Sequence, residues 1–111
     1  MRRIQSSEPL TEPVLLILLS LADEPRHGYA LIKEIEALSD GRVRLSTGTL
    51  YGALHRLLEA GWIERFEQTD TARDKQAYRL ARTGMKALRA ELDRMKQLTR
   101  AAAARLAWKE A

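Results

Sequence analysis

The feature that most constrains this chain is a long helical pattern at its C-terminal end. No proline and no cluster of turn residues interrupts the segment from Thr83 to about Trp108. At 1.5 Å per residue, a helix of this length reaches roughly 40 Å. A small three-helix module cannot cover such an element, so we expect the helix to extend beyond its own domain and to join two subunits.

Apolar residues form a stripe along this helix. The stripe starts with a 3-4-3 spacing and continues with a shift of phase, and its members are Met85, Leu88, Leu92, Met95, Leu98, Ala102 and Leu106. An amphipathic helix folded back on its own domain would show a similar pattern. The length of the helix favours a subunit interface instead.

The N-terminal part predicts a flexible arm and a buried helix. Residues 1–9 show no periodicity and form the arm. Thr11 is a suitable N-cap, and Pro13 is tolerated in the first turn because its missing N–H has no helical partner there. The apolar run 14–19 surrounds the helix on nearly every side, so this helix must be deeply buried.

Two more helices follow, separated by a short connection. After Pro25, apolar residues recur at helical spacing from Tyr29 to Leu38. Ser46 or Thr47 can cap the third helix, and Gly61 stands where a helix C-cap is expected. Close spacing of two such helices is typical of a helix-turn-helix.

A hairpin is predicted after the third helix. Residues 62–66 and 77–80 alternate as short strands around the polar stretch 68–76, and Trp62 is expected to anchor this wing on the core. The sequence therefore predicts a mainly α fold, a winged helix-turn-helix of three helices and a two-stranded wing followed by a long C-terminal dimerisation helix. The corresponding boundaries are 1–9 for the arm, 10–81 for the DNA-binding domain and 82–111 for the dimerisation helix.

Composition excludes several classes of protein. The 111 residues include no cysteine and two histidines, which leaves no disulfide framework and too few ligands for an ordinary zinc centre. We expect no cofactor and no enzymatic activity, because the histidines and carboxylates do not follow a pattern that would bring them together in one pocket.

The longest apolar run is too short for a membrane span, so a cytoplasmic protein is expected. A net charge of +4 favours polyanions as partners.

The third helix has an outer face suited to a nucleic-acid groove. Gly48, Gly52, His55, Arg56 and Glu59 lie on this face, and Thr49 and Tyr51 flank it. Glycines allow the helix backbone to approach a groove, and Thr49, Tyr51 and His55 can reach phosphates or base edges. Alternatively, Gly48 completes a cap and Gly52 makes room for a neighbouring helix.

The loop of the wing carries two cations. Arg73 and Lys75 can contact a phosphate or enter the minor groove. Asp70 and Asp74 would repel the DNA backbone, so an ordinary solvated turn is the alternative.

Four sequence blocks resemble the PadR-like transcriptional regulators over roughly residues 11–88. The blocks are His27-Gly28-Tyr29-Ala30-Leu31, then Gly48-Thr49-Leu50-Tyr51 with Leu54 and Arg56-Leu57, then Gly61-Trp62-Ile63, and then Tyr78-Arg79-Leu80 with Gly84. The resemblance implies a winged helix-turn-helix repressor that works as a homodimer, of the short branch with a single C-terminal helix. It also implies that Tyr29, Thr49 and Tyr51 face DNA, although both tyrosines could instead be core aromatics.

One block departs from the family pattern. The family usually has Leu-Thr-Glu-Lys-Gly before the last helix, whereas this chain has Leu80-Ala81-Arg82-Thr83-Gly84. Thr83 could replace the missing threonine as the helix cap.

These observations predict a ligand-responsive, sequence-specific regulator of transcription that binds a pseudo-palindromic operator as a homodimer. A winged helix that makes only protein–protein contacts is the alternative. The residues predicted to bind DNA are Tyr29, Thr47, Thr49, Tyr51, His55, Arg56, Arg73 and Lys75. The residues predicted to line a dimer interface or a pocket for a planar aromatic effector are Leu15, Leu18, Met85, Leu88, Leu92, Met95, Leu106 and Trp108.

Overall fold

A computed structural model describes residues 9–66 and 76–110 of the chain and confirms the predicted mainly α, winged-helix fold. Four helices surround a small antiparallel sheet. In chain order the elements are α1 (Glu12–Ser20), β1 (Arg26–His27), α2 (Gly28–Leu38), α3 (Thr47–Ala60), β2 (Ile63–Phe66), β3 (Ala77–Leu80) and α4 (Arg82–Glu110).

The helix ends follow the chemistry of their caps. The hydroxyl of Thr11 accepts a hydrogen bond from the Val14 N–H, and Ser46, rather than Thr47, is the N-cap of α3. Gly61 closes α3 with a φ of 77°, a left-handed conformation that favours glycine.

Helix α4 begins at Arg82, two residues earlier than an N-cap at Thr83 would require. The Ala81 carbonyl accepts the first helical hydrogen bond, from Met85 N–H at 2.9 Å, so Ala81 occupies the N-cap position. The prediction that Thr83 replaces the missing cap is therefore wrong, because Thr83 lies inside the first turn.

The sheet has three strands rather than the predicted two, in the order β1-β3-β2. In β1, the guanidinium of Arg26 is largely buried and binds the Ser20 carbonyl at 2.7 Å. Its terminal nitrogens contact the carboxylates of Asp23, Glu24 and Glu34 at 3.2, 3.2 and 3.8 Å. The Arg26 side chain therefore links β1 to the end of α1 and to α2.

The core forms where the first three helices meet the sheet and the start of α4. Its fully buried side chains include Ile17, Leu18, Leu31, Ile35, Leu50, Leu54, Leu57 and Ile63. Helix α1 lies at its centre, as its all-round apolar surface predicts. Trp62 is also buried and anchors β2 to this core, as the sequence predicts.

Helix α4 packs on the domain through its first turns and then leaves it. Gly84 lies so close to β2 that a Cβ at this position would come within 2.1 Å of the Trp62 carbonyl oxygen. Leu88 is in the core, and Leu92 packs partly against it. Beyond Leu92 the helix projects into solvent, which gives the molecule a longest dimension of 59 Å.

A buried carboxylate holds α4 against the start of α1. Glu91 accepts hydrogen bonds from the Leu10 N–H at 2.6 Å and from Arg94 Nε at 2.7 Å. The hydrogen bond from Leu10 lowers the pKa of Glu91 most; burial opposes this, and Arg94 lowers the pKa further. The ionised carboxylate therefore links two segments that are far apart in sequence.

Glu91→Gln should lower the free energy of unfolding at pH 7 by about 1.5 to 3 kcal/mol, the range for a hydrogen bond to a charged group. Because the folded pKa is lowered, the stabilisation is present above about pH 4.3, the ordinary pKa of Glu, and is lost as the pH falls through the folded pKa. The difference between the variant and wild type should thus shrink in acid. Urea unfolding at fixed protein concentration measures this difference in the free energy of unfolding.

Asp93→Asn, which removes an exposed carboxylate on the same helix, is the matched control for Glu91→Gln. An equal loss in both variants, or a loss that does not change with pH, would contradict this role.

Candidate nucleic-acid interface

Five of the predicted DNA-binding residues are exposed on α3, with Thr49 and Tyr51 on opposite flanks of the exposed side. Leu50, Leu54 and Leu57 are fully buried on the inner side of the helix. The exposed side carries Thr47, Thr49, Tyr51, His55 and Arg56. The helical periodicity that predicted this division is therefore matched by the observed burial.

Two glycines leave the backbone of this face open. Among residues 9–66 and 76–110, an added Cβ at Gly48 or Gly52 would meet nothing within 4 Å. The alternative that Gly52 makes room for a neighbouring helix is therefore wrong. A glycine inside a helix costs about 1 kcal/mol relative to alanine, and no packing within the described part of the chain compensates for it here. The backbone of α3 is thus unobstructed at both positions, and the interpretation that Gly48 completes a cap stays open.

The Thr49 hydroxyl is held in place by the helix cap. Ser46 Oγ donates to Thr49 Oγ1 at 2.9 Å and accepts from the Thr49 N–H at 3.2 Å. Because its oxygen already accepts a hydrogen bond, the Thr49 hydroxyl proton can be directed outward to an acceptor.

A second polar group on this face is the pair formed by His55 and Glu59, one turn apart. His55 Nε2 lies 2.5 Å from Glu59 Oε1, and both side chains are largely exposed. This contact occupies one ring nitrogen and leaves Nδ1 for a ligand. Arg56 is the one exposed cation of α3, so the face is rich in hydrogen-bonding groups but carries little net charge.

The two tyrosines predicted to face DNA are not core residues. Tyr29, near the start of α2, is 67% exposed, and Tyr51 is 49% exposed. The Lys33 ammonium lies 5.1 Å from the centre of the Tyr29 ring, which places a cation beside this phenol. Tyr78 is the buried tyrosine. Its pKa is raised chiefly by burial and also by Tyr51 nearby.

Arg73 and Lys75, the predicted cations of the wing, lie outside the described residues. The strands that lead to them contain Arg65, which the sequence analysis missed. Its Nε donates to the Gln76 side chain at 3.0 Å, and its charge is close enough to Tyr78 to lower the pKa of that phenol against the effect of burial. Strand alternation from Ile63, which faces the core, is the signal that would have placed Arg65 beside this aromatic group.

The predicted effector or dimer residues divide into two groups. Leu18 and Leu88 belong to the chain's own core, so we remove them from the predicted interface, and Leu15 also packs partly against that core. Met85, Met95 and Leu106 remain between 44% and 55% exposed. Along α4, a shallow groove of about 360 Å³ is lined by Leu92, Met95, Lys96, Thr99 and Arg100.

Trp108 is 81% exposed, but it does not share the face of the stripe. Two residues of a regular helix are separated by about 200° of rotation, so Trp108 points about 160° away from Leu106. Trp108 and the methionines therefore do not share one face of a single α4 helix, and their place in an effector pocket between two subunits stays a prediction.

In the described part of the chain, no three His, Cys, Asp or Glu side chains come together as a possible metal site. Among the helices of residues 9–66 and 76–110, none has the length and hydropathy that a membrane span requires.

Comparison with known proteins assigns this fold to a family. A family model described as the Transcriptional regulator PadR-like family matches residues 17–90, more than half of the chain. A curated Streptomyces fradiae protein, described as an uncharacterized 37.1 kDa protein in transposon TN4556, is 54% identical over 43 residues. That match covers 39% of this chain and 12% of the relative, so the chain spans only a small part of that protein's length.

Solved structures share the fold at low identity. A PadR family transcription regulator from Clostridium difficile R20291 has a TM-score of 0.72 and 19% identity, covering 86% of this chain and 99% of that chain. Bacillus subtilis PadR, solved in complex with operator DNA, has a TM-score of 0.66 and 21% identity, covering 77% of this chain and 48% of that chain. At these identities the likeness shows the fold alone.

Proposed function

Because the chain belongs to the PadR-like family of transcriptional regulators, we propose that it binds operator DNA sequence-specifically and acts as a ligand-responsive repressor in the form of a homodimer. The observation that carries the proposal is the outer face of α3, where two unhindered glycines lie among exposed hydrogen-bonding side chains. The complex of Bacillus subtilis PadR with operator DNA supports the same use of this fold here.

The chemistry of α3 suits the reading of base edges better than the neutralisation of phosphates. Bases are distinguished in the major groove by hydrogen-bond donors and acceptors, which Thr47, Thr49 and His55 supply. Contacts to phosphates come from cations or from hydroxyl groups that face the DNA backbone. We assign such contacts to Arg56 and Tyr29. The wing residues Arg73 and Lys75 are proposed to add further phosphate contacts.

Selection of bound sequences from a random pool of double-stranded DNA tests this function. We expect a pseudo-palindromic motif with half-sites about 10 to 10.5 base pairs apart, because a two-fold dimer presents its recognition helices to successive major grooves. Thr49→Val and His55→Ala should change the selected bases, at about 1 to 3 kcal/mol for each lost base contact. Lys86→Ala, on the exposed side of α4, is the matched control and should leave the motif unchanged.

Phosphate contacts give a different signature in the same assay. Arg73→Ala and Lys75→Ala should weaken binding similarly on all sequences and lower the salt slope by about 0.9 for each lost contact. A motif without a dyad would contradict the proposed geometry. Absence of any selected sequence, together with a stable protein partner, would instead favour the protein–protein module.

The homodimer is proposed from the apolar stripe of α4. Met95, Leu98 and Leu106 are 44%, 63% and 55% exposed, and they lie on the part of the helix that projects from the domain. Monomeric proteins rarely leave a continuous apolar surface of this length open to water. Two copies related by a two-fold axis can cover the same stripe in each other, because such an interface is self-complementary.

Sedimentation at micromolar concentration should therefore give twice the 12.6 kDa mass of one chain. Met95→Asp combined with Leu106→Asp should produce a folded monomer, because each charge would have to be buried without a partner. Trp108→Asp is the matched control: it adds the same charge to the opposite side of α4 and should leave the dimer intact. A monomeric wild type, or a dimer disrupted only by the Trp108 substitution, would contradict the proposed interface.

A planar aromatic effector is proposed to bind where the groove of α4 meets the second subunit. Leu92 and Met95 give the groove an apolar floor, and a thioether adapts well to an aromatic surface. Lys96 and Arg100 at its edge favour an effector with an anionic group. Pockets for small molecules range from about 300 to 1,000 Å³, so the volume of the groove is suitable.

Linkage between effector and operator tests this proposal. A bound effector should lower operator affinity, and saturating operator should lower effector affinity by the same factor. Titration of the protein with anionic, planar aromatic compounds, with and without the selected operator, measures both. Met95→Ala should reduce effector affinity severalfold, whereas Trp108→Ala should leave it unchanged because Trp108 lies on the opposite face. Binding that has no effect on operator affinity would contradict a regulatory role.

A further inference from the structure

Gly28, the first residue of α2, lies directly beneath the side chain of Tyr51. Gly28 is buried, and a Cβ built on it would lie 2.4 Å from the Tyr51 hydroxyl oxygen and 2.8 Å from Cζ. Real Cβ atoms do not make contacts this short, so Tyr51 can occupy its position only while residue 28 is glycine. The family resemblance alone gives no reason for a glycine here, whereas this contact does.

Tyr51 joins the three parts of the domain that surround the proposed interface. It comes from α3, its hydroxyl reaches the start of α2, and its phenol contributes to the raised pKa of Tyr78 in β3. Yet 49% of its surface remains exposed. The Tyr51 ring therefore packs against other parts of the domain and also forms part of the face proposed to bind DNA.

If the Tyr51 ring is displaced, it can move over Gly48. Side chains on a helix lean toward the preceding turn, where Gly48 lies one turn before Tyr51. The surface above Gly48 is open, so a ring pushed away from Gly28 can move over it. That movement would cover the glycine surface through which α3 is proposed to approach the groove.

We propose that Gly28 is a positioning residue for operator recognition: by lacking a side chain, it seats Tyr51 against α2 and keeps the glycine surface of α3 free. This inference rests on the proposed DNA-binding function and extends it to a residue that does not itself contact DNA. The clash created by a side chain at position 28 involves the far end of a flexible tyrosine. The domain can therefore fold around it, and the cost should be observed in DNA binding.

A double-mutant cycle on the full-length protein tests the inference. Gly28→Ala should weaken binding to the selected operator by about tenfold, within the usual range for coupled neighbours. In a Tyr51→Ala background the same substitution should have less than about a twofold effect, because no ring remains to be displaced. Gly52→Ala is the matched control: its Cβ enters open space, so its effect should be the same with and without Tyr51.

The free protein gives an independent readout. With labelled tyrosine, the NMR signals of the Tyr51 ring should shift in Gly28→Ala and remain unchanged in Lys86→Ala. Circular dichroism should show that both variants are folded.

The outcomes separate this inference from the function on which it rests. If wild type selects no DNA sequence, the proposed function fails, and the positioning role fails with it. If wild type binds its operator but Gly28→Ala binds equally well, only the positioning role is overturned. The same conclusion follows if the effects of Gly28→Ala and Tyr51→Ala are independent, or if Gly28→Ala unfolds the domain.

Discussion

The arrangement of the whole molecule depends on the close contact between α4 and the backbone of Trp62. The Trp62 carbonyl accepts a hydrogen bond from the Ala81 N–H at 2.9 Å, and Gly84 packs on the same carbonyl with no space for a Cβ. Because backbone meets backbone, neither side can relax by changing a rotamer. The direction in which α4 leaves the sheet is therefore fixed. That direction brings Leu88 into the core and places Glu91 beside Leu10.

Helices α1 and α3 could be predicted from sequence because each had two independent signals. Apolar residues marked the buried surface of both helices, and Thr11, Ser46 and Gly61 marked ends whose cap chemistry is local. The division of α3 into a buried and an exposed side followed from helical periodicity. Local rules were sufficient wherever the residues that determine an element lie within a few positions of one another.

The missed features depend on contacts between distant residues. Two residues are too few for an alternation pattern, so β1 becomes recognisable only when Arg26 pairs with Tyr78 across the sheet. Leu18 and Leu88 match an interface pattern and a core pattern equally well, and only the packing of α4 on the domain separates the two. Trp108 is a different case, because its two-residue offset from Leu106 already excludes a shared face on one helix.

The same contact that fixes α4 gives a physical route from α4, the proposed dimer helix, to α3, the helix proposed to face DNA. Helix α3 ends at Gly61, and the next residue, Trp62, is both buried in the core and hydrogen-bonded to the chain that enters α4. Residues 61–81 separate the two helices in sequence, but in space the backbone of Trp62 connects the end of α3 directly to the start of α4. In the proposed dimer, a rotation of α4 against its partner would therefore carry α3 with it, rather than being absorbed by a flexible linker. A ligand acts through such a route only if it binds one dimer geometry more tightly than the other. A ligand in the groove where α4 leaves the domain is better placed to favour one dimer geometry than a ligand near the free end of α4. A displacement of α4 at the groove is closest to the Trp62 junction that holds α3.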